Sequence, residues 1–184
     1  MIELAAFLGN PGPEYAETRH NAGRLLAAQA FRADMRWRQA YKGRYAKAGG
    51  CHLLMPETYM NLSGQSAHQA AAFFKIPPER ILVVHDELEL PLGQAGLKFS
   101  GGLGGHNGLR SMRECFGTAD FWRLRIGIGR PSHADIAGWV LSPFAEAERP
   151  ALDQVLRACA DALLRILAQG PETLLPEWNK KKLL

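Results

Sequence analysis

Short apolar runs and helix-period stretches take turns along this chain, which is the pattern of an α/β domain. Residues 4–8 form an unbroken apolar run that predicts a short buried strand, and residues 23–31 set Leu25, Leu26, Ala28 and Phe31 at the spacing of a packed helix. Residues 36–48 alternate aromatic or apolar with basic side chains (Trp37, Arg38, Tyr41, Lys42, Arg44, Tyr45, Lys47), then turn at Gly49-Gly50 into residues 51–55. That is a hairpin signal. A helix follows over residues 65–75 and stops at Pro77-Pro78. Residues 81–84, Ile-Leu-Val-Val, read as a central strand covered on both faces. Beyond them come a brief strand at 97–99, a helix at 109–116 and an alternating strand at 121–129. A long helix from Leu152 carries Val155, Leu156, Cys159, Leu163, Ile166 and Leu167 on one face and ends at Gly170-Pro171.

The segments between these elements hold the polar residues of interest. The first strand breaks at Gly9-Asn10-Pro11-Gly12 and runs through Tyr15, Thr18, Arg19, His20 and Asn21 into the first helix. In α/β proteins such a strand-to-helix loop is a usual place for chemistry. The glycines suit a phosphate cradle; equally, Asn10 and His20 suit two ends of one substrate cleft. Met60-Asn61-Leu62-Ser63-Gly64 precedes the second helix, where Asn61 or Ser63 has the simpler role of an N-cap. His85-Asp86-Glu87 falls at the carboxyl end of a central strand, the position of the binding crevice in an open sheet. Five glycines lie among residues 101–108, just before His106, Asn107 and a helix start, where free N–H groups favour an anion or developing negative charge. Arg123 and Arg125 share one strand face, which suits phosphates or a solvated edge.

Size and composition narrow the classes. With 184 residues and no linker-like tract the chain reads as one domain, with residues 173–184, including Lys180 to Lys182, as a flexible basic tail. Three widely spaced cysteines without a CxxC pair argue against a disulfide framework or zinc site and suit a reducing cytosol. The start lacks a basic leader, and no apolar run approaches the roughly 18 residues of a membrane helix. A cytoplasmic protein without membrane association is expected. The net charge of +4 is uneven: residues 1–50 hold eight basic against four acidic side chains, and 98–130 hold six against two. Such segregation fits a partial nucleic-acid footprint or an ordinary basic surface.

Three chemistries compete for these residues. Gly9-x-x-Gly12 is neither a dinucleotide fingerprint nor a P-loop, and the 101–108 loop ends in His-Asn rather than Lys-Ser/Thr, so a phosphate cofactor is poorly supported. His20, His85, Asp86 and His106 are metal-ligand types, but no local spacing groups them; a metal would need them gathered by folding. His52, His68 and His133 have no polar constellation nearby and read as structural or surface residues. Proton-transfer hydrolysis remains. A histidine paired with a carboxylate can take a proton from water, and His20 with Asp86 fits that pair. Asn10, Asn61 and Asn107 would add neutral amides able to steady an oxyanion or hold a peptide group. No GxSxG motif offers a competing nucleophile.

These residues also carry a resemblance. Gly9-Asn10-Pro11-Gly12, Tyr15, Thr18-Arg19-His20-Asn21, Met60-Asn61-x-Ser63-Gly64, His85-Asp86-Glu87-Leu88, Gly104 to Leu109, and Arg123 to Gly129 resemble, in order and spacing, the signature blocks of bacterial peptidyl-tRNA hydrolases. The resemblance implies a single α/β domain over residues 1–184, with a twisted mixed sheet flanked by helices on both faces. It further implies a cytosolic monomer, no cofactor and no metal, and cleavage of the ester between a peptide and the 3′-terminal ribose of tRNA. By the same resemblance His20 is the catalytic base and Asp86 its orienting carboxylate. Asn10, Asn61 and Asn107 line the cleft with Met60 and Tyr15 beside them, and Lys98 and Arg125 take the tRNA 5′-phosphate. Phe7 and Leu103 depart from the family's usual Gly and His; Phe7 bears on packing behind the cleft, Leu103 on polar contacts of the glycine loop. The runner-up is a non-catalytic RNA-binding protein on the same fold, as in intron-splicing factors that resemble this family. A metal-dependent hydrolase is third.

Overall fold

The computed structural model describes residues 1–31 and 34–184. Its centre is β1 (Leu4–Phe7), every residue of which is buried. The strand is followed by α1 (Ala22–Ala30), β2 (Arg38–Ala40), β3 (Gly43–Ala48), β4 (Cys51–Pro56), α2 (Ser63–Phe74) and β5 (Ile81–Glu87). Then come β6 (Gln94–Phe99), α3 (Asn107–Phe116), β7 (Trp122–Gly127), α4 (Ile136–Val140), α5 (Arg149–Gln169), α6 (Leu175–Trp178) and β8 (Lys181–Lys182). The strands form one mixed sheet in the order β2-β3-β4-β1-β5-β7-β6-β8, with β4, β1, β5 and β7 parallel.

Alternation along the strands sorts side chains to two cores. Ala5, Phe7, Leu82 and Val84 face one layer with Leu26, Val155, Cys159 and Leu163 from α1 and α5. Leu4, Ala6, Ile81 and Val83 face the other with Ala67, Ala70, Leu109 and Met112 from α2 and α3. By the same alternation Asp86 leaves β5 on the α1 side while His85 and Glu87 leave it on the α3 side. Phe7, the departure from the family pattern, is fully buried and meets Phe31 edge-on at 6.0 Å.

Four local expectations change. Residues 36–48 are not one strand: they fold back at Tyr41 and Lys42, whose φ values of 55° and 53° are left-handed, to make the β2–β3 hairpin. A two-residue loop leaves the period-two alternation unbroken, so it conceals the turn. The strand carrying Arg123 and Arg125 is not an edge but lies between β5 and β6, and both arginines are buried. Ser63 does not cap α2; its hydroxyl donates to the Met60 carbonyl at 2.8 Å, and the Gly64 N–H is met by Ser111 Oγ of α3 at 2.9 Å. Finally, the tail packs on the sheet. Trp178 is buried, Lys181 and Lys182 pair with Ala95 and Gln94, and the Leu183 N–H donates to the Gly93 carbonyl.

Gly64 lets α2 lie close against α3, because a Cβ there would collide with the Ser111 carbonyl. Gly64→Ala is therefore expected to destabilise the protein by about 1–3 kcal/mol through overpacking, read as a lowered midpoint in urea unfolding; an unchanged midpoint would show that the helices can part at no cost.

Candidate active site

The carboxyl end of β5 delivers Asp86 into a position where two histidines, from opposite layers, reach it. His20 sits in a 3-10 turn (Arg19–Asn21) leading into α1, and its Nδ1 lies 2.9 Å and 3.0 Å from the two carboxylate oxygens. His106 sits immediately before α3, with its Nε2 2.8 Å from Oδ1. Asp86 is buried. Burial alone would raise its pKa, but the His106 and His20 imidazoles, by charge and hydrogen bond, hold the carboxyl below the ordinary carboxylate range.

The partners of each ring fix its tautomer. His106 Nδ1 accepts from the N–H groups of Gly108 (3.1 Å) and Leu109 (3.3 Å), capping α3, so its proton must be on Nε2 and is donated to Asp86. His20 donates from Nδ1, which leaves Nε2 unprotonated and directed away from the carboxylate, as a base requires. His85 faces the other side: its Nδ1 donates to the Asp86 carbonyl at 2.7 Å, and its buried Nε2 has no partner. Burial, reinforced by His106, pushes its pKa down to about 3, so it is a neutral structural residue near neutrality.

Asn10 is locked by its neighbours. Its backbone exchanges two hydrogen bonds with the Asn21 side chain (2.8 Å and 3.0 Å), and its Oδ1 accepts from the Met60 N–H at 2.7 Å. Its Nδ2 has no partner among the described residues and remains a donor. Met60 is buried, with its sulfur close beside Gly108: a Cβ on that glycine would lie 2.6 Å from Sδ. Asn61 and Asn107 are exposed, and Tyr15, half-buried, packs edge-on against Tyr59 at 6.4 Å.

A cleft of about 260 Å³ collects His20, Asp86, His106 and Asn107 and is walled by Ile136, Ala137 and Val140 of α4. A larger cavity of about 760 Å³, between α1 and the β3–β4 hairpin, is lined by Arg24, Trp37 and Arg44 and by none of His20, Asp86 and His106. We place the chemistry in the smaller space because the titratable cluster is there.

Lys98 and Arg125 lie on the same sheet face but differ in surroundings. Lys98 pairs across the β6–β7 ladder with Arg123 and is half-buried near Gly101. Arg125 is buried, 3.5 Å from Glu87 Oε1 and 3.1 Å from the Asn179 carbonyl. Arg123, on the same face, donates to the carbonyls of Gly101 and Gly102 and holds the glycine loop.

His106 is the residue sequence reasoning missed as a partner of Asp86. Its position three residues ahead of the predicted helix at 109–116, after a glycine loop, could not reveal the carboxylate. Folding does gather His20, Asp86 and His106 with ligand atoms within 4.8 Å of one another, the grouping a metal would need. Yet an ion on His106 Nε2 would force the proton onto Nδ1, against the two backbone N–H groups it now accepts. The set fits a hydrogen-bonded relay better than a metal centre. Cysteine nucleophiles are also disfavoured: burial pushes Cys51 and Cys159 up to about 12.

The family model described as Peptidyl-tRNA hydrolase matches residues 4–184. The chain belongs to the peptidyl-tRNA hydrolase family. Among its relatives, the peptidyl-tRNA hydrolase of Treponema pallidum (strain Nichols) is 50% identical over 196 aligned residues, covering 100% of this chain and 97% of the relative. That of Delftia acidovorans is 45% identical, covering 100% and 89%. The crystal structure of peptidyl-tRNA hydrolase from Acinetobacter baumannii superposes with a TM-score of 0.88 at 36% identity, over 95% of this chain and 93% of that one. For this member of the peptidyl-tRNA hydrolase family, the α/β fold, with its mixed sheet between helical layers, is therefore established by sequence and structure together. Among the described residues, no helix is long and apolar enough to cross a membrane.

The buried His85 gives a pH test of this arrangement. In the fold its pKa is pushed down to about 3 from an ordinary 6.5, so the unfolded chain binds the proton first as pH falls. The stability due to neutral His85 is full above about pH 6.5 and declines towards pH 3, with a slope approaching about 1.4 kcal/mol per pH unit. His85→Asn, which keeps a donor for the Asp86 carbonyl, should flatten that decline in urea titrations at pH 4–6; an unchanged slope would mean that His85 is protonated in the native state.

Proposed function

We propose that the protein hydrolyses the ester linking the peptide to the 3′-terminal ribose of peptidyl-tRNA, returning tRNA from prematurely released chains. The observation that carries this reading is the His20–Asp86 pair, with Nδ1 committed to the carboxylate and Nε2 left as a base at the cleft. His20 Nε2 takes a proton from water as the oxygen attacks the ester carbonyl, forming a tetrahedral oxyanion. The Nδ2 of Asn10 or the amide of Asn107 donates to that oxyanion. Its collapse expels the ribose 3′-oxygen, which recovers the proton from His20. Asp86, held ionised, steadies the transient imidazolium throughout.

The remaining residues take supporting roles. Asn61 holds carbonyl and amide groups of the peptide, with Tyr15 and Met60 shaping that side of the cleft. Neutral amides accept an N-acylated chain and offer no counter-charge to the free ammonium of an aminoacyl-tRNA. Lys98, half-buried beside the glycine loop, and Arg125 form the positive end that receives the 5′-phosphate of the acceptor stem, although Arg125 must share its charge with Glu87. A cytoplasmic monomer that needs no cofactor is the accompanying reading, supported by three unpaired cysteines. The non-catalytic RNA-binding alternative leaves the oriented base and its two-histidine carboxylate without a purpose.

Turnover of N-acetyl-aminoacyl-tRNA should survive chelator and fall by roughly 10²–10⁴-fold in His20→Ala with tRNA binding nearly intact; near-wild-type turnover in that variant would remove His20 from the chemistry. Lys98→Ala and Arg125→Ala should weaken binding and each lower the slope of log affinity against log salt by about one. Slopes equal to that of the wild type in both variants would exclude phosphate contact.

A further inference from the structure

Arg19, the neighbour of His20 in its 3-10 turn, is only 4% exposed and, among the described residues, donates to neither Asp86 nor His106. Its guanidinium serves the other side. Nη1 donates to Ser142 Oγ (2.8 Å) and to the Pro143 carbonyl, and Nη2 to Glu148 Oε2 (2.7 Å). The guanidinium carbon lies 3.7 Å from the centre of the Trp139 ring and 5.3 Å from that of Phe144. Backbone contacts add to this, with Arg19 N–H donating to the Ser142 carbonyl at 3.0 Å and Thr18 bridged to Pro143. What Arg19 grips is thus the segment whose α4 walls the cleft through Ile136, Ala137 and Val140.

That wall needs a latch, because α4 has no fully buried residue and meets the core only through the partly buried Trp139 and Val140. A tether of Trp139 Nε1 to the Gly129 carbonyl at 2.9 Å fixes one side of the segment; Arg19 fixes the other to the turn that carries His20. We propose that Arg19 is a positioning residue which sets the α4 wall at a fixed distance from His20, so that the acyl end of the substrate is held where Nε2 can serve the attacking water. The inference rests on the ester-hydrolase reading of the cleft. A planar fork that bonds along its edge while stacking on Trp139 is something arginine provides and lysine does not.

The test compares Arg19→Lys, Trp139→Ala and the double variant in steady-state hydrolysis of N-acetyl-aminoacyl-tRNA, with melting temperatures measured alongside. Each single variant is expected to lower kcat/KM by roughly 10- to 100-fold at a temperature well below its melting point, mainly through KM. The pH profile of kcat/KM should keep its wild-type apparent pKa, because the His20–Asp86 pair is untouched. The double variant should lose less than the product of the two single losses, since both variants remove the Arg19–Trp139 stack. A kcat/KM within twofold of wild type in folded Arg19→Lys, a shifted pH profile or additive losses would overturn the proposal. If Arg19→Lys fails to fold, Ser142→Ala, which removes an acceptor of Arg19 and leaves the Trp139–Gly129 tether in place, decides by the same criteria. Should the wild-type protein itself fail to cleave this substrate, it is the function that falls, independently of the latch.

Discussion

One buried carboxylate organises this molecule. Asp86 lies at the end of a central strand with little water to solvate it, and an unpaired charge there would be strongly destabilising. Two imidazole N–H groups supply what water does not, and they come from segments 66 residues before it and 20 after it. Satisfying the charge therefore fixes the turn ahead of α1 and the start of α3 relative to β5. The same arrangement leaves His20 with one ring nitrogen committed and one available, so the stabilising contact and the proposed chemistry are a single geometry.

The surroundings can be seen as ways of keeping that geometry from relaxing. Asn21 holds the backbone of Asn10, Asn10 holds the backbone of Met60, and Ser111 closes the open end of α2 against α3. Each link joins a different pair of segments, and each uses a backbone group that would otherwise be buried without a partner. The relay across Asp86 is thus supported by ordinary hydrogen-bond accounting among the loops at one end of the sheet.

Much of the fold was legible in the residues. The apolar runs at β1 and β5 and the helical periods of α1, α2 and α5 reflect one-dimensional burial patterns, which a sequence displays directly. The hairpin at Tyr41-Lys42 did not show itself because neither residue is a usual turn former and the alternation runs through it. The central position of β7 was hidden because arginine alternation looks the same whether the guanidiniums meet water or, as for Arg123, the carbonyls of a glycine loop. The His20–Asp86 pair emerged from chemistry and family resemblance, whereas the place of His106 depended on a distance that no spacing encodes. Arg19 was visible only as a letter beside His20; its burial under Trp139 is a fact of three dimensions.

The eighth strand bears on how the protein comes into being. Lys181 and Lys182 close the edge of β6, and the carbonyl of Asn179 receives the Arg125 guanidinium. All other strands precede this segment, so during vectorial synthesis the sheet up to β7 can assemble while the edge of β6 is open and Arg125 lacks that acceptor. The β6 edge and the Arg125 contact thus form after His20, Asp86 and His106 have all emerged. A chain halted short of this point would carry the complete set of cleft residues beside an unpaired β6 edge.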